Sequence, residues 1–240
     1  MNTVLITGGT RGIGAAIAHA FENAGANLLL TGTDPEQIKT LNAEAPETRR
    51  YIAADFKDHA STQSLVEEIN SMDRLDVCIN NAGINIIKSV YEASADDFQR
   101  VTDVNYRAPY LICQAAAKKM RENKYGRVVN IASIWSVVTK PGRSMYASAK
   151  TGLVGMTRAL ATDLAPDGIL VNCVSPGFTL TDLTRESLSQ KEIDEIGKQI
   201  PCKRMAEPSE IAKVVAFLAS PENTYLTGQN IVVDGGFSHV

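Results

Sequence analysis

Seven short apolar runs rich in β-branched residues punctuate the chain, at Thr3–Thr7, Asn27–Thr31, Arg50–Ala54, Asp76–Asn80, Arg127–Ala132, Leu170–Val174 and Asn230–Val233. Few of their interior positions are polar, the pattern of strands covered on both faces in a parallel sheet. Between them, apolar positions recur at helical spacing: Ile13, Ile17 and Phe21; Leu65, Val66 and Ile69; Leu153, Met156 and Leu160. A long helix is predicted through Phe98, Val101, Val104, Leu111 and Ile112. Ser94 begins it, and Asp96 and Asp97 suit its N-terminus. Pro208 opens another, with Ile211, Val214, Val215 and Leu218 facing inward.

Strand–helix alternation throughout predicts βαβ units. The expected fold is α/β, a single doubly wound Rossmann sheet of about seven parallel strands with helices on both faces. No glycine- or serine-rich linker and no internal repeat divides the chain, so residues 1–240 are expected to form one domain. One stretch breaks the rhythm. Residues 176–204 follow a strand but carry charged helical segments, Thr181–Gln190 and Lys191–Gln199. Open α/β sheets bind ligands beyond the carboxyl ends of their strands, so this insertion reads as a small helical substrate lid.

Charge and composition then narrow the function. The 24 Lys and Arg against 27 Asp and Glu leave a net charge of -3, which argues against a general nucleic-acid binder. No apolar run approaches the ~20 residues of a membrane span. The start, Met1 to Thr7, lacks the basic segment and long apolar core of a secretion signal, so a cytoplasmic location is expected. Cys78, Cys113, Cys173 and Cys202 form no CxxC pair, and His19, His59 and His239 share no ligand spacing. Neither a disulfide framework nor a metal site is expected.

The first candidate site is Gly8-Gly9-Thr10-Arg11-Gly12-Ile13-Gly14, between the first strand and the first helix. Gly8 permits a tight turn, Gly12 a close backbone approach to a pyrophosphate, and Gly14 close helix–strand packing. The helix N-terminus supplies N–H donors and positive dipole to the anion. Asp55, followed by Phe56, ends the third strand, and Asn80-Asn81-Ala82-Gly83 ends the fourth. Asp55 suits an adenine amino group as well as an ordinary turn. Together on one sheet edge, these groups favour a dinucleotide site. After the second strand the chain reads Thr31-Gly32-Thr33-Asp34, without an acid where NAD enzymes hold the ribose 2′-hydroxyl. Arg11 and Thr33 could pair with a 2′-phosphate, so NADP(H) is expected. A one-residue shift would make Asp34 the acid that selects NAD(H).

The candidate chemistry lies further along. Tyr146 and Lys150 are spaced i, i+4, hence on one helix face. Ser133 closes the preceding strand, and Asn105 stands inside the long helix without a cap role. A phenol has a pKa near 10. An ammonium ~4 Å away, at an effective dielectric of ~20, contributes ~4 kcal/mol, roughly three pKa units toward the phenolate. Ser133 would donate to a carbonyl or developing alkoxide. Spacing alone leaves open an ordinary surface pair, since such pairs are common on helices. A hydrolase does not fit, because Ser133 lacks the G-x-S-x-G elbow and a histidine base.

With Thr7-Gly8…Gly12-x-Gly14, Asp55, Asn80-Asn81-Ala82-Gly83, Asn105, Ser133, Tyr146-x-x-x-Lys150, and Pro176-Gly177 followed by Thr179, the chain resembles the short-chain dehydrogenases/reductases over essentially its full length. The resemblance implies that Asn105, Ser133, Tyr146 and Lys150 are catalytic. It implies that Lys150 also binds the nicotinamide ribose, that the Asn105 backbone holds a proton-relay water, and that Pro176, Gly177 and Thr179 seat the nicotinamide. Tyr146 would donate its proton as hydride reaches a carbonyl. Within the family the chain is most similar to the bacterial 3-oxoacyl-acyl-carrier-protein reductases, through Pro176-Gly-Phe178-x-x-Thr181-Asp182, Glu210-Ile-Ala and Val233-Asp-Gly-Gly236. Sugar, polyol and other alcohol dehydrogenases share those stretches. NADPH-dependent reduction of a 3-oxoacyl thioester is thus expected. The alternatives are oxidation of a sugar-like, polyol or cyclic alcohol, and a non-catalytic dinucleotide sensor on the same fold.

The lid's apolar set, Phe178, Leu180, Leu183, Leu188, Ile193, Ile196 and Ile200, suits an acyl chain or its own packing. No arginine fork stands at a motif position, which disfavours a short 2-hydroxy acid. Lys124, near Lys118, Lys119 and Arg121, is positioned by the resemblance to meet an acyl carrier protein at the site mouth. It equally fits a solvated helix end. The second matching position is Asp167, of the wrong sign, so a weakened carrier contact is expected. Ala115, Ala116 and Ala117, with Gly152, Gly155 and Ala159, offer small-residue faces for the homotetramer that the resemblance implies.

Overall fold

A computed structural model describes residues 2–240. All seven apolar runs form strands, with ends within two residues of those expected: β1 (Thr3–Ile6), β2 (Asn27–Gly32), β3 (Arg49–Ala53), β4 (Val77–Asn80), β5 (Gly126–Ile131), β6 (Ile169–Pro176) and β7 (Asn230–Val233). They pair in parallel in the order β3-β2-β1-β4-β5-β6-β7. The order reverses beside β1, and there the carboxyl ends of β1 and β4 part to leave the ligand crevice of a doubly wound sheet.

Alternate strand residues feed opposite cores, which explains the unbroken apolar runs. Leu5, Cys78 and Val128 pack on one face with helices α3 (His59–Ser71), α5 (Ala108–Glu122) and α6 (Ser144–Leu164). Val4, Ile6, Ile79 and Val129 pack on the other with α1 (Gly12–Asn23) and α9 (Pro208–Leu218). Helix α2 (Pro35–Glu44) has no counterpart among the apolar stripes, because Ile38 is its one buried residue. It is set instead by its start: the Asp34 carboxylate accepts from Glu36 N and Gln37 N, and Pro35 fills the first turn.

The long helix is not uniform. It runs as α4 (Ala95–Thr102), a π-helical stretch at Asp103–Arg107, and α5. Asn105 Nδ2 donates to the Val101 carbonyl at 2.9 Å and the Ile84 carbonyl at 2.8 Å, and its Oδ1 accepts from Ile84 N at 3.2 Å. Pro109, four residues on, has no N–H for the Asn105 carbonyl. Both effects remove regular ladder bonds at one place, where a wider turn inserts.

Between β6 and α9 rise α7 (Asp182–Ser187) and α8 (Gln190–Gln199), capped by Thr181 and Ser189. Paired backbone bonds, Leu180 N to Ala206 O and Ala206 N to Phe178 O, tie the base of this insertion. Leu183 is exposed while Ile200 is buried, so the apolar set divides between solvent and body.

Two expectations about surfaces change. Ala115 and Ala116 are buried in the chain's own core and present nothing to another subunit. Gly152 is taken by the Tyr106 ring, while Gly155 faces open space. Lys124 and Asp167 lie just before β5 and β6, at the amino ends of parallel strands and thus opposite the crevice, and Arg121 pairs with Asp167 at 3.3 Å. The lysine cluster therefore does not stand at this chain's own site mouth. Among the described residues no helix is long and apolar enough to cross a membrane, and no cluster of ligating side chains could hold a metal. Cys78, Cys113 and Cys173 are buried free thiols, and Cys202 is an exposed one.

Candidate active site

The crevice, about 410 Å³, opens at the carboxyl ends of β1, β2, β3 and β4. Its walls include the expected Gly8, Thr10, Arg11, Gly12, Ile13 and Gly14, then Thr33, Asp55 and Phe56, then Asn81, Ala82 and Gly83. Gly8 and Gly12 adopt φ +64° and +56°, where a side chain would be strained. A Cβ at Gly14 would collide with the Gly8 carbonyl. Asn81 Nδ2 donates to the carbonyls of Thr7 and Gly8, both at 3.0 Å, and Thr7 Oγ1 accepts from Asn81 N and Ala82 N. Asn81 is therefore a brace for the turn rather than a free ligand group. Backbone thus lies at the surface beside the α1 N-terminus, a shape that fits a pyrophosphate.

At the ribose end, Arg11 and Thr33 line the crevice and Asp34 does not. Its carboxylate is occupied in capping α2. The one-residue shift that would have made Asp34 a ribose acid is absent. Asp55 lies in the wall, yet its carboxylate already accepts from Lys57 N and pairs with Lys57 Nζ at 3.1 Å. It serves as a turn residue whether or not it also meets a base.

Gly83 joins the nucleotide end to the chemical end. A Cβ there would lie 2.9 Å from Asn105 Oδ1 and 3.4 Å from Lys150 Nζ. Lys150 is buried, donates to the Ile131 carbonyl at 2.7 Å, and sits 5.7 Å from the Tyr146 ring centre. Burial lowers its pKa from 10.5 to about 8. Burial also raises the pKa of Tyr146, opposed by a Ser133 hydrogen bond and by the Arg143 charge. The expected lowering of the phenol by Lys150 is not what governs here: burial outweighs the neighbouring charges, and the ammonium is engaged by the Ile131 carbonyl. In the chain alone Tyr146 is kept as a proton donor. Ser133 is buried at the end of β5, where its Oγ accepts from Trp135 N at 3.2 Å. The structure thus brings Asn105, Ser133, Tyr146 and Lys150 to one place.

Pro176, Gly177 and Thr179 stand at the end of β6, outside the crevice walls. Gly177 is fixed there, since its Cβ would lie 2.7 Å from Asp234 Cα. Lid residues Thr181, Asp182 and Leu183 do line the crevice, and the Thr181 methyl comes within 3.3 Å of a Cβ placed on Gly12. Sequence reasoning also missed an aromatic cluster beyond Ser133. Trp135 meets Phe178 edge-on at 6.1 Å, and Phe178 meets Phe237 at 5.2 Å. Arg143 and Lys140 each lie 5.4 Å from the Trp135 ring centre. The one available signal was a lone tryptophan two residues after Ser133.

Comparison with known proteins is consistent across most of the chain. A family model described as enoyl-(acyl carrier protein) reductase matches residues 8–238. A protein of Rickettsia bellii named 3-oxoacyl-[acyl-carrier-protein] reductase FabG is 37% identical, covering 98% of this chain and 95% of the relative. One of the same name from Aquifex aeolicus is 38% identical, covering 97% and 95%. A solved structure described as ElxO with NADP bound superposes with a TM-score of 0.91 at 29% identity, over 100% of this chain and 99% of that one.

Proposed function

The chain belongs to the short-chain dehydrogenase/reductase family of oxidoreductases, and from that premise we propose that it reduces a 3-oxoacyl thioester with NADPH. Two relatives at 37% and 38% identity carry that reductase name, and a structural neighbour holds NADP. The observation that carries the chemistry is the meeting of Asn105, Lys150 and Gly83 at the inner end of the dinucleotide crevice, with Tyr146 and Ser133 beside it.

NADP(H) is the cofactor. Gly8, Gly12 and Gly14 admit the pyrophosphate, Arg11 and Thr33 meet the 2′-phosphate, and Lys150 reaches the nicotinamide ribose. Pro176, Gly177 and Thr179 seat the ring. When bound, the reduced nicotinamide supplies the hydride.

The remaining work belongs to the chain. Ser133 Oγ donates to the substrate carbonyl and orients it. Tyr146, kept protonated by burial, gives its proton to the oxygen as negative charge develops. Lys150 stabilises the phenolate left behind, its charge undiluted by water. The Asn105 carbonyl, without an N–H from Pro109, holds a water that passes a proton toward Lys150.

The test is oxidation of NADPH by the purified chain with acetoacetyl-CoA. Turnover supports the reading. Turnover of a cyclic or sugar-like alcohol, with none of the thioester, would replace it by the alcohol dehydrogenase alternative.

A further inference from the structure

The catalytic assignment leaves Arg143 without a role. Arg143 ends the loop that follows Ser133 and directly precedes α6, one helical turn before Tyr146. Its guanidinium lies 5.4 Å from the centre of the Trp135 ring, which Phe178 meets edge-on. Nε and Nη1 are shielded from solvent, and no acceptor reaches either. Arg127 makes the contrast: more deeply buried than the half-buried Arg143, it spends its terminal nitrogens on the carbonyls of Gly126, Gly168 and Asn223. Lys140 stands over the same Trp135 ring. Among the described residues neither Arg143 nor Lys140 forms an ion pair.

Two guanidinium nitrogens held away from water without an acceptor are costly, and the cost is recovered when an anion arrives. Packing against the indole face fixes the plane of the guanidinium, and either unpaired nitrogen, Nε or Nη1, shares an edge with Nη2 that matches a carboxylate with two parallel N–H···O bonds. A neutral ketone would dehydrate the group further and leave it unpaired, so selection comes from penalty as well as attraction.

We propose that Arg143 is a substrate-anion residue: it binds the carboxylate of an oxo or hydroxy acid whose reacting carbon lies at Tyr146 and Ser133. This rests on reading Tyr146 as the proton donor, and it extends the substrate class from thioesters to free acids. The carboxylate must lie within a few carbons of the reacting centre, because Arg143 caps α6 only three residues before Tyr146.

Trp135 is the chain's one tryptophan and lies against Arg143, so its emission reports an anion bound there. The full chain is titrated with 3-hydroxybutyrate and with 3-hydroxybutyramide, which differ in charge and little in shape. The acid should give a saturable change and bind at least ~10-fold tighter than the amide. Arg143→Gln should abolish that preference. Arg143→Lys, a point charge without the fork, should retain part of it. Equal binding of acid and amide, no saturable binding of the acid, or an unchanged preference in Arg143→Gln overturns the proposal. Acetoacetyl-CoA turnover is measured separately on the same protein. Its absence would remove the thioester reading and leave the acid preference to stand or fall by the fluorescence.

Discussion

The two ends of the crevice are built on opposite plans. At the nucleotide end the chain satisfies itself: Asn81 and Thr7 bond the backbone of the turn, and glycines vacate the space a ligand would need. At the chemical end the polar groups are buried or half-buried with few partners. Lys150 has one carbonyl, Tyr146 is desolvated, and Arg143 has no acceptor. A cofactor held by shape can be exchanged after each turnover, which a self-sufficient turn allows. A reacting group needs donors that gain when charge develops, and donors already satisfied in the empty chain would gain little.

The comparison implies that the two ends fail separately, and the largest effect belongs to the chemical end. Tyr146→Phe keeps the ring and removes the proton, so turnover should fall by ~10²–10⁴. NADPH affinity, measured by fluorescence titration, should stay nearly constant. Near-normal turnover would remove Tyr146 from its role. The reverse experiment is Gly14→Val, which drives a side chain into the Gly8 carbonyl. Overpacking of this kind should cost ~1–3 kcal/mol of stability in urea and weaken NADPH binding. A variant with unchanged stability and unchanged nucleotide affinity would mean that the turn is less tightly braced than Asn81 and Thr7 suggest.

A finer cut lies within the nucleotide end. Arg11→Ala should lower catalytic efficiency with NADPH by ~10-fold, the scale of one exposed charge-assisted contact, and leave NADH little affected. Equal losses with both cofactors would mean that Arg11 shapes the turn instead of reading the phosphate. A wild-type preference for NADH would overturn the role given to Arg11 and Thr33.

Much of the nucleotide end was legible in sequence because its determinants are local. Gly8, Gly12 and Gly14 sit between a strand and a helix, and burial on both faces writes β1, β2, β4, β5 and β6 as apolar runs, while the edge strands β3 and β7 are only partly covered. The chemical end depends on partners remote along the chain. Asn105 takes its π-helical setting from Ile84 and Pro109, and the helical pattern alone predicts only a continuous helix. Arg143 becomes significant only once Trp135 and Phe178 surround it. Small residues misled for a similar reason: Ala115 and Ala116 could equally have faced a partner or the core, and the core took them. Helix α2 was invisible because one buried residue makes no stripe.

The smallest expected effect probes the imbalance at the chemical end directly. Folding holds Lys150 at about 8, below its ordinary 10.5, because burial disfavours the ammonium. The unfolded chain therefore binds more protons between those two values, and this group's contribution to stability rises with pH through that window. The buried thiols Cys78, Cys113 and Cys173 act in the other direction, since burial raises their pKa values and stability is lost as the unfolded thiols ionise. Comparing wild type with Lys150→Met cancels Cys78 and Cys113, and making the comparison in a Cys173→Ser background removes the one thiol that feels the Lys150 charge. Between pH 7 and 9 the difference in urea unfolding free energy should shift toward wild type by ~1 kcal/mol. A difference that stays flat with pH would mean that Lys150 is no more desolvated than a surface lysine. The buried charge at the chemical end would then have to be sought in Arg143 alone.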